Sequence, residues 1–163
     1  MRSDQTAQMT EVCKIKTRRR DYLAGKLTEL RRQINDNEAL VHQCQSELEK
    51  YNNNRPTMES EAFEVLKNKG VGKTSIEKYN REMVQINNQS LEKANAVQNA
   101  QSKLEELRDS EKELVTEYSI ATKQCEKLEV LLNQLVAVQR TNTERANNEA
   151  LDEWVTSNFR LKN

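Results

Sequence analysis

LAGKLTELRRQINDNEALVHQCQSELEKY, residues 23–51, decides the fold because its apolar residues recur at alternating steps of four and three. That spacing places a narrow apolar stripe, here called the seam, along a helix that packs lengthwise against another helix. The seam of this stretch is apolar except at Asn37, and its positions are Leu23, Leu27, Leu30, Ile34, Asn37, Val41, Cys44, Leu48 and Tyr51. A stripe so narrow and so long indicates a coiled coil.

The same spacing returns over residues 76–135, where 15 of 18 seam positions are apolar. The positions of this second run are Ile76, Tyr79, Met83, Ile86, Ser90, Lys93, Val97, Ala100, Leu104, Leu107, Glu111, Leu114, Tyr118, Ala121, Cys125, Leu128, Leu132 and Leu135. Polar residues on a seam fix its register at some cost in stability, and we assign that role to Asn37, Lys93 and Glu111. Two long helices are therefore predicted.

The composition favours an all-α protein with one thin, extended core. The chain has 163 residues with 35% hydrophobic and 4% aromatic content, which is too little bulky apolar material for a multilayered core. Three glycines and one proline leave good helix formers almost throughout. We expect one elongated coiled-coil hairpin over residues 1–163.

The first helical run is interrupted at Asn52–Pro56, where three asparagines and an arginine precede the only proline. Asparagine is a poor helix former, and proline cannot donate a backbone N–H. The count of four and three nevertheless continues through Met58 and Ala62. We therefore predict a kink near Pro56 or a one-turn break, with helix in the same layer on both sides.

The chain is predicted to reverse at Gly70-Val71-Gly72, because glycine adopts the positive φ values that end a helix at little cost. The first helix is expected over about 9–69 and the second over about 74–157. Thr74 and Glu77 have the spacing of a capping box, which would fix where the second helix begins.

A turn at this place sets an antiparallel register in which the numbers of facing residues sum to about 144. Apolar residues then meet along the whole length, as in the pairs Val65 with Tyr79, Met58 with Ile86, Leu23 with Ala121, and Met9 with Leu135. A parallel homodimer is the alternative, but it would leave the two glycines unexplained. We expect a monomeric hairpin, although a two-stranded seam buries limited area, so a weak dimer or a larger partner stays open.

The charge distribution argues against several classes of partner. The formal net charge is zero, yet residues 1–35 hold nine basic and four acidic residues, whereas residues 101–163 hold nine and twelve. Such a dipole is a poor ligand for nucleic acid, which rewards a large positive excess. No stretch approaches the roughly 20 apolar residues that span a bilayer, and the start of the chain lacks the apolar core of a signal peptide. We expect a cytoplasmic protein without membrane insertion.

No catalytic, cofactor or metal site is predicted. Gly72-Lys73-Thr74 resembles the end of a phosphate-binding loop, but Lys67 stands where the leading glycine belongs and no strand precedes it. His42 is the only histidine, and the cysteines are Cys13, Cys44 and Cys125, without metal-ligand spacing. With no concave pocket to shift a pKa, we predict that the protein is not an enzyme.

The densest basic run lies near the start of the first helix and consists of Lys14, Lys16, Arg18, Arg19 and Arg20. The predicted register puts Glu126 and Glu129 opposite, so part of the positive charge would be neutralised. The remainder could steer the protein into an acidic socket on a partner, raising the association rate more than the affinity. RNA binding is disfavoured because the aromatic residues that stack bases are missing.

Apolar residues also gather at the turn and in the tail. Around the turn they are Phe63, Leu66, Val71, Ile76 and Tyr79, and those left exposed would form a docking site. In the tail after Glu149 they are Leu151, Trp154, Val155, Phe159 and Leu161. The tail either folds onto Met9 and Val12 or inserts Trp154 and Phe159 into a partner, and both interpretations stay open.

Four segments in this order resemble the FliJ/YscO family, the small stalk proteins of flagellar and injectisome type III secretion. They are a basic first helix (KIKTRRRDYLAGKLTELRRQI), the reversal (FEVLKNKGVGKTSIEKYNREMVQINNQ), the returning helix (QCEKLEVLLNQL) and an acidic end (ERANNEALDEW). The resemblance covers nearly the whole chain and lies in pattern and order. Pro56 and the aromatic tail depart from it.

The resemblance implies a two-helix antiparallel stalk without enzymatic activity that links the hexameric export ATPase to the export gate and the substrate chaperones, at the cytoplasmic side of the inner membrane. Carried onto this sequence, Lys14, Lys16, Arg18, Arg19 and Arg20 would face the ATPase. Phe63, Leu66, Ile76 and Tyr79 would face the gate or a chaperone. The alternative is a general scaffold or tether that oligomerises with partner helices. A prefoldin-type chaperone is disfavoured, since the turn is too short for hairpin strands.

Overall fold

The computed structural model describes residues 2–161, which form two α-helices joined by three residues. Helix α1 spans Arg2–Lys69 and helix α2 spans Lys73–Leu161, and there is no strand among the described residues. The helices are antiparallel, because Tyr51 of α1 contacts Ile86 of α2 whereas the earlier residue Glu38 contacts the later Arg108. The predicted all-α helical hairpin is confirmed.

The turn lies at the predicted glycines. Gly70 has φ +85°, a conformation that side-chain-bearing residues rarely adopt. The Gly72 N–H donates to the Gly70 carbonyl at 3.0 Å, and the Ile76 N–H donates to the Gly72 carbonyl at 3.0 Å. The second bond is the first of α2, so Gly72 occupies the N-cap position. The prediction that Thr74 caps the helix is wrong, because the helix already begins at Lys73.

Pro56 lies inside α1, which is continuous from Arg2 to Lys69, so the predicted one-turn break is wrong. The kink stays a prediction. Proline removes one backbone hydrogen bond and disfavours a helix interior by about 3 kcal/mol. Pro56 faces solvent, while Tyr51 and Met58 on either side are half-buried on the seam. Packing of the seam on both sides therefore keeps the helix intact through the proline.

The buried apolar core coincides with the predicted seam. Its members are Leu23, Leu27, Ile34, Ala62, Val97, Ala100, Leu104, Ala121 and Cys125, each with at most 9% of its surface exposed. Most other seam positions are half-buried, and Val65 and Ile76 near the turn are exposed at 42% and 38%. No polar or charged residue in residues 4–160 is buried. The core is one apolar stripe per helix.

Contacts between the helices divide them into two compact units. The turn unit comprises residues 27–113, and the terminal unit comprises the described residues up to 26 together with those from 114 onwards. The core residues Leu23, Ala121 and Cys125 belong to the terminal unit. The other six belong to the turn unit. Each unit therefore contains its own portion of the seam.

Polar contacts fix the register of the turn unit near the predicted one. The Tyr51 hydroxyl donates to the Ile86 carbonyl at 2.9 Å, and Lys93 Nζ lies 5.6 Å from the centre of the Tyr51 ring. The predicted register places Tyr51 opposite Lys93, so this pairing is observed. The Ser90 hydroxyl lies 3.2 Å from Asn52 Oδ1, two residues from its predicted partner. Lys93 thus binds across the seam, as a register-fixing residue should.

Asn37 does not bind across the helices. Its side-chain amide donates to the Gln33 carbonyl of its own helix at 2.9 Å. This half-buried amide therefore lies on the seam but forms its hydrogen bond within α1 and not with α2. Among the described residues Glu111 makes no ion pair, so neither residue shows the contact that a register role would need.

Candidate partner-binding sites

The structure separates the five basic residues into two groups. Lys16 and Arg20 lie on the seam and are half-buried, because the count of four and three continues backwards from Leu23 to these positions. Lys14 pairs with Glu11 at 3.1 Å and Arg20 pairs with Asp21 at 3.3 Å. These ion pairs lie on the surface, where each contributes little to stability. The five cations do not form one exposed face.

Arg18 and Arg19 are exposed and make no ion pair with any described residue. The Arg19 guanidinium lies 5.8 Å from the centre of the Tyr22 ring, so part of its stem is held in place. Lys16 and Arg19 line a hollow of about 300 Å³ that Glu117 and Ile120 of α2 also line. Within the basic run, the exposed positive charge without an ion-pair partner is that of Arg18 and Arg19.

The predicted partial neutralisation of the basic run by Glu126 and Glu129 does not take the form of an ion pair. No ion pair within the described part of the chain joins either carboxylate to the run. The acidic residue that shares a hollow with Lys16 and Arg19 is Glu117. Glu117 and Arg19 therefore lie on the same side of the helix pair, which the predicted register does not reveal.

The turn candidates are partly assembled. The Phe63 and Tyr79 rings meet edge to face, with centres 6.5 Å apart and planes at 71°. Leu66 and Tyr79 line a small cavity of about 30 Å³ beneath the turn. Phe63 remains 54% exposed, and Ile76 is 38% exposed with no described contact to the other three. Phe63, Leu66 and Tyr79 therefore form one cluster, and Ile76 lies outside it.

The tail of α2 stays helical to Leu161 and does not fold back. Of residues 143–160 only Asn158 is even half-buried. Leu151, Trp154, Val155 and Phe159 expose 58%, 64%, 47% and 72% of their surface. The interpretation that the tail folds onto Met9 and Val12 is wrong. The exposed side chains are available to a second molecule.

Sequence reasoning missed an apolar surface on the side of α2 away from the seam. A hollow of about 500 Å³ is lined by Lys123, Glu126, Lys127, Val130, Leu131 and Gln134. Val130 and Leu131 expose 55% and 49% of their surface, and Val138, two turns beyond Leu131, exposes 53%. The sequence did contain a signal for this surface, because valine and leucine occur there at positions that are not part of the seam.

Among the described residues, the pKa values of Glu29 and Arg32 are shifted by their mutual contact. The pKa of the Glu29 carboxyl is lowered because the Arg32 guanidinium donates to it, with Nη2 to Oε1 at 2.6 Å. The pKa of Arg32 is raised chiefly by the same bond, and also by the charges of Glu29 and Asp36. All three residues are exposed on α1. This is a surface network within one helix and does not mark an active site.

The described residues hold no group of three or more histidine, cysteine or acidic side chains that could bind a metal. Cys125 is buried, and Cys13 and Cys44 are half-buried, all as free thiols. Within residues 2–161 neither helix has a stretch that is apolar enough to cross a bilayer.

Comparison with known proteins gives a match at the level of the fold. No protein-family model matches the chain, and no curated protein does. Among solved structures, the chain is similar to the crystal structure of the type III secretion protein YscO from Vibrio parahaemolyticus, with a TM-score of 0.86. The match covers 93% of this chain and 96% of that chain, at 20% sequence identity. The two proteins share a long helical hairpin.

Proposed function

We propose that this protein is a non-enzymatic stalk of a type III secretion export apparatus, where it links the hexameric export ATPase to the export gate and to substrate chaperones. The observation that carries the proposal is the shared hairpin with the secretion protein YscO, which extends over 93% of this chain. A fold alone does not determine function, so the proposal also needs a suitable surface.

The surface that supports ATPase binding is the exposed pair Arg18 and Arg19. They lie in the terminal unit and have no ion-pair partner among the described residues, so their charge can attract an acidic site on another protein. Lys16 and Arg20 are half-buried on the seam and support the helix pair through their apolar stems. We therefore assign the ATPase contact mainly to Arg18 and Arg19, with Lys14, Lys16 and Arg20 in secondary roles.

The test measures binding of the purified hexameric secretion ATPase from the same bacterium. Replacement of Arg18→Glu and Arg19→Glu together is expected to slow association on the order of tenfold at low salt, with a smaller effect at high salt. Lys16 and Arg20 are left unchanged, because reversing half-buried seam charges would also weaken the hairpin.

The matched control is Arg31→Glu combined with Lys103→Glu, which makes the same charge change at two exposed residues of the turn unit. The control is expected to bind like the wild type. If the Arg18 and Arg19 variant binds the ATPase as well as the wild type does, the assignment of the binding site is contradicted. If the wild type does not bind the ATPase, the proposed function is contradicted.

For the gate or a chaperone we propose the turn cluster of Phe63, Leu66 and Tyr79, with Ile76 at its edge. Phe63 is the anchor because its ring is exposed and held edge to face by Tyr79. Phe63→Ala is expected to weaken capture of the cytosolic part of the gate protein by about tenfold, as expected for the loss of an aromatic anchor. Val84→Ala, an exposed apolar residue of the same unit, is the control. Equal losses in both variants would contradict the assignment.

A further inference from the structure

Two apolar patches on α2 lie outside the seam. The hollow patch is formed by Val130 and Leu131, with Lys123 and Lys127 lining the same hollow. The tail patch is formed by Leu151, Trp154, Val155 and Phe159. Both patches belong to the terminal unit, and nothing in the described chain covers either one.

The two patches occupy the same side of the helix. Lys123 and Leu151, Lys127 and Val155, and Leu131 and Phe159 are each separated by 28 residues. Since 28 residues are four heptads, the members of each pair hold the same heptad position. Val138, which is 53% exposed, holds the same heptad position as Leu131 and Phe159 and lies on this face between the two patches. We call this surface the outer face of α2.

The tail patch cannot reach the hollow patch of its own chain. Both lie on one uninterrupted helix, Lys73–Leu161, at a separation of about 42 Å along its axis. A second copy in the opposite direction places each tail patch on the other copy's hollow patch. With the two-fold axis beside Thr141, Leu131 lies opposite Leu151 of the second copy and Lys127 opposite its Val155. Such an isologous contact uses the same face of both copies, so the assembly ends at a dimer.

The two patches offer one complementary pair of charges, Lys127 and Asp152. Lys123, Glu126 and Lys127 line the hollow patch, which therefore carries one excess positive charge, and neither lysine forms an ion pair with a described residue. Among the three carboxylates of residues 149–159, Glu149 and Glu153 lie at seam positions and face away from the outer face, so only Asp152 can serve this contact. Asp152 holds the heptad position of Leu131 and therefore lies on the outer face itself. In the antiparallel arrangement it approaches Lys127 of the second copy within one helical turn.

We infer that a second copy of this chain occupies the outer face, so that two hairpins associate through antiparallel α2 helices. Each copy contributes Val130, Leu131, Val138 and the tail patch, including the only tryptophan of the chain. Such a contact is small beside an obligate dimer interface and suits a weak, reversible association. The inference stands on the α2 surface alone and does not depend on the proposed secretion function.

The test is sedimentation equilibrium of the full chain over a range of concentrations. The mass is expected to rise from 19.0 kDa towards twice that value, with a dissociation constant on the order of 10–100 µM. Trp154→Ala combined with Phe159→Ala is expected to weaken the dimer at least about tenfold. Val84→Ala combined with Leu91→Ala removes two apolar side chains of α2 in the turn unit that are 58% and 61% exposed, and this variant is the matched control.

A charge exchange separates a specific contact from general stickiness. Lys127→Asp and Asp152→Lys are each expected to weaken dimerisation several-fold, and the two together to restore it, because both copies then carry the exchanged pair. Helical content by circular dichroism should be the same for all variants. A mass that stays at 19.0 kDa throughout overturns the inference. So does a dimer that the tail variant does not weaken, or a double charge variant that is not restored.

Discussion

Residues 97–125 and residues 149–159 of α2 are both helical and both contain regularly spaced apolar residues, but they bury them very differently. In the first stretch Val97, Ala100 and Leu104 expose 6–9% of their surface, whereas in the second Leu151 and Trp154 expose 58% and 64%. Hydrophobicity alone does not separate the two regions. The two regions differ in whether their apolar residues coincide with the seam positions.

The seam count shows this difference directly. Continued beyond Asn142, it falls on Ala146, Glu149, Glu153, Thr156 and Arg160, of which only the first is apolar. The apolar residues of the tail lie between these positions and point to another side of the helix. The first region therefore stabilises the hairpin, and the second offers a surface to another molecule.

The largest effect is expected when the same substitution is made in each kind of region. Leu27 exposes 6% of its surface and Leu151 exposes 58%. Leu27→Ala is expected to lower the free energy of unfolding by about 2–4 kcal/mol, because it removes buried methyl groups and leaves a cavity. Leu151→Ala is expected to change it by less than about 0.5 kcal/mol. Urea denaturation at a fixed low protein concentration measures both, and similar losses would erase the distinction.

The two glycines offer a comparison of a turn with a helix interior. Gly70 has φ +85°, so Gly70→Ala is expected to destabilise the protein by about 1–2 kcal/mol. Gly25 lies within α1 with open space where a Cβ would lie, so Gly25→Ala is expected to stabilise the protein by about 0.5–1 kcal/mol. Thermal unfolding followed by circular dichroism measures both changes. Stabilisation by the Gly70 variant would mean that the chain does not reverse there.

A smaller effect is expected at the polar seam position Asn37. Its amide binds only within its own helix, so Asn37→Leu should add apolar burial without losing a cross-helix bond and stabilise the turn unit by about 1 kcal/mol. Asn35→Leu places the same side chain on the exposed side of α1 and should have almost no effect. If Asn37→Leu instead loosens or shifts the hairpin, the amide specifies the register after all.

The smallest effect is expected at the surface ion pair between Glu38 and Arg108, whose side chains meet at 3.0 Å and are 48% and 56% exposed. A double-mutant cycle with alanine at each position should give a coupling of about 0.2–0.5 kcal/mol. The coupling should fall in high salt. A coupling above about 1 kcal/mol would show that surface charges, and not the seam, dominate the pairing of the helices.

Much of the fold followed from the sequence because a seam records packing directly. Every one of the nine buried apolar residues is a predicted seam position, and the chain reverses at the predicted glycines. Local signals were less reliable. Pro56 did not break α1, since packing on both sides outweighed its cost, and Thr74 did not cap α2, since Gly72 already supplied the first carbonyl.

The candidate sites were less predictable for a geometric reason. A register gives the residue opposite, but it does not give the side of the pair on which a long side chain lies. Glu117 was therefore missed, while Glu126 and Glu129 form no ion pair with the basic run among the described residues. The outer face of α2 was missed because its residues are spread over four heptads between charged neighbours. Only the helix geometry brings them to one side.

The central claim is that one chain doubles back at Gly70 and pairs with itself. Pulsed electron spin resonance tests it directly, with spin labels at residues 35 and 109 of a variant whose three cysteines are replaced by alanine or serine. These two exposed positions lie at the same level along the helix pair in the predicted register, so we expect a separation of about 20–30 Å, set by adjacent helices and the label arms. That distance should persist after dilution with unlabelled chain. A separation of roughly 100 Å, as in one unbroken helix, or a short distance that disappears on dilution, would contradict the claim.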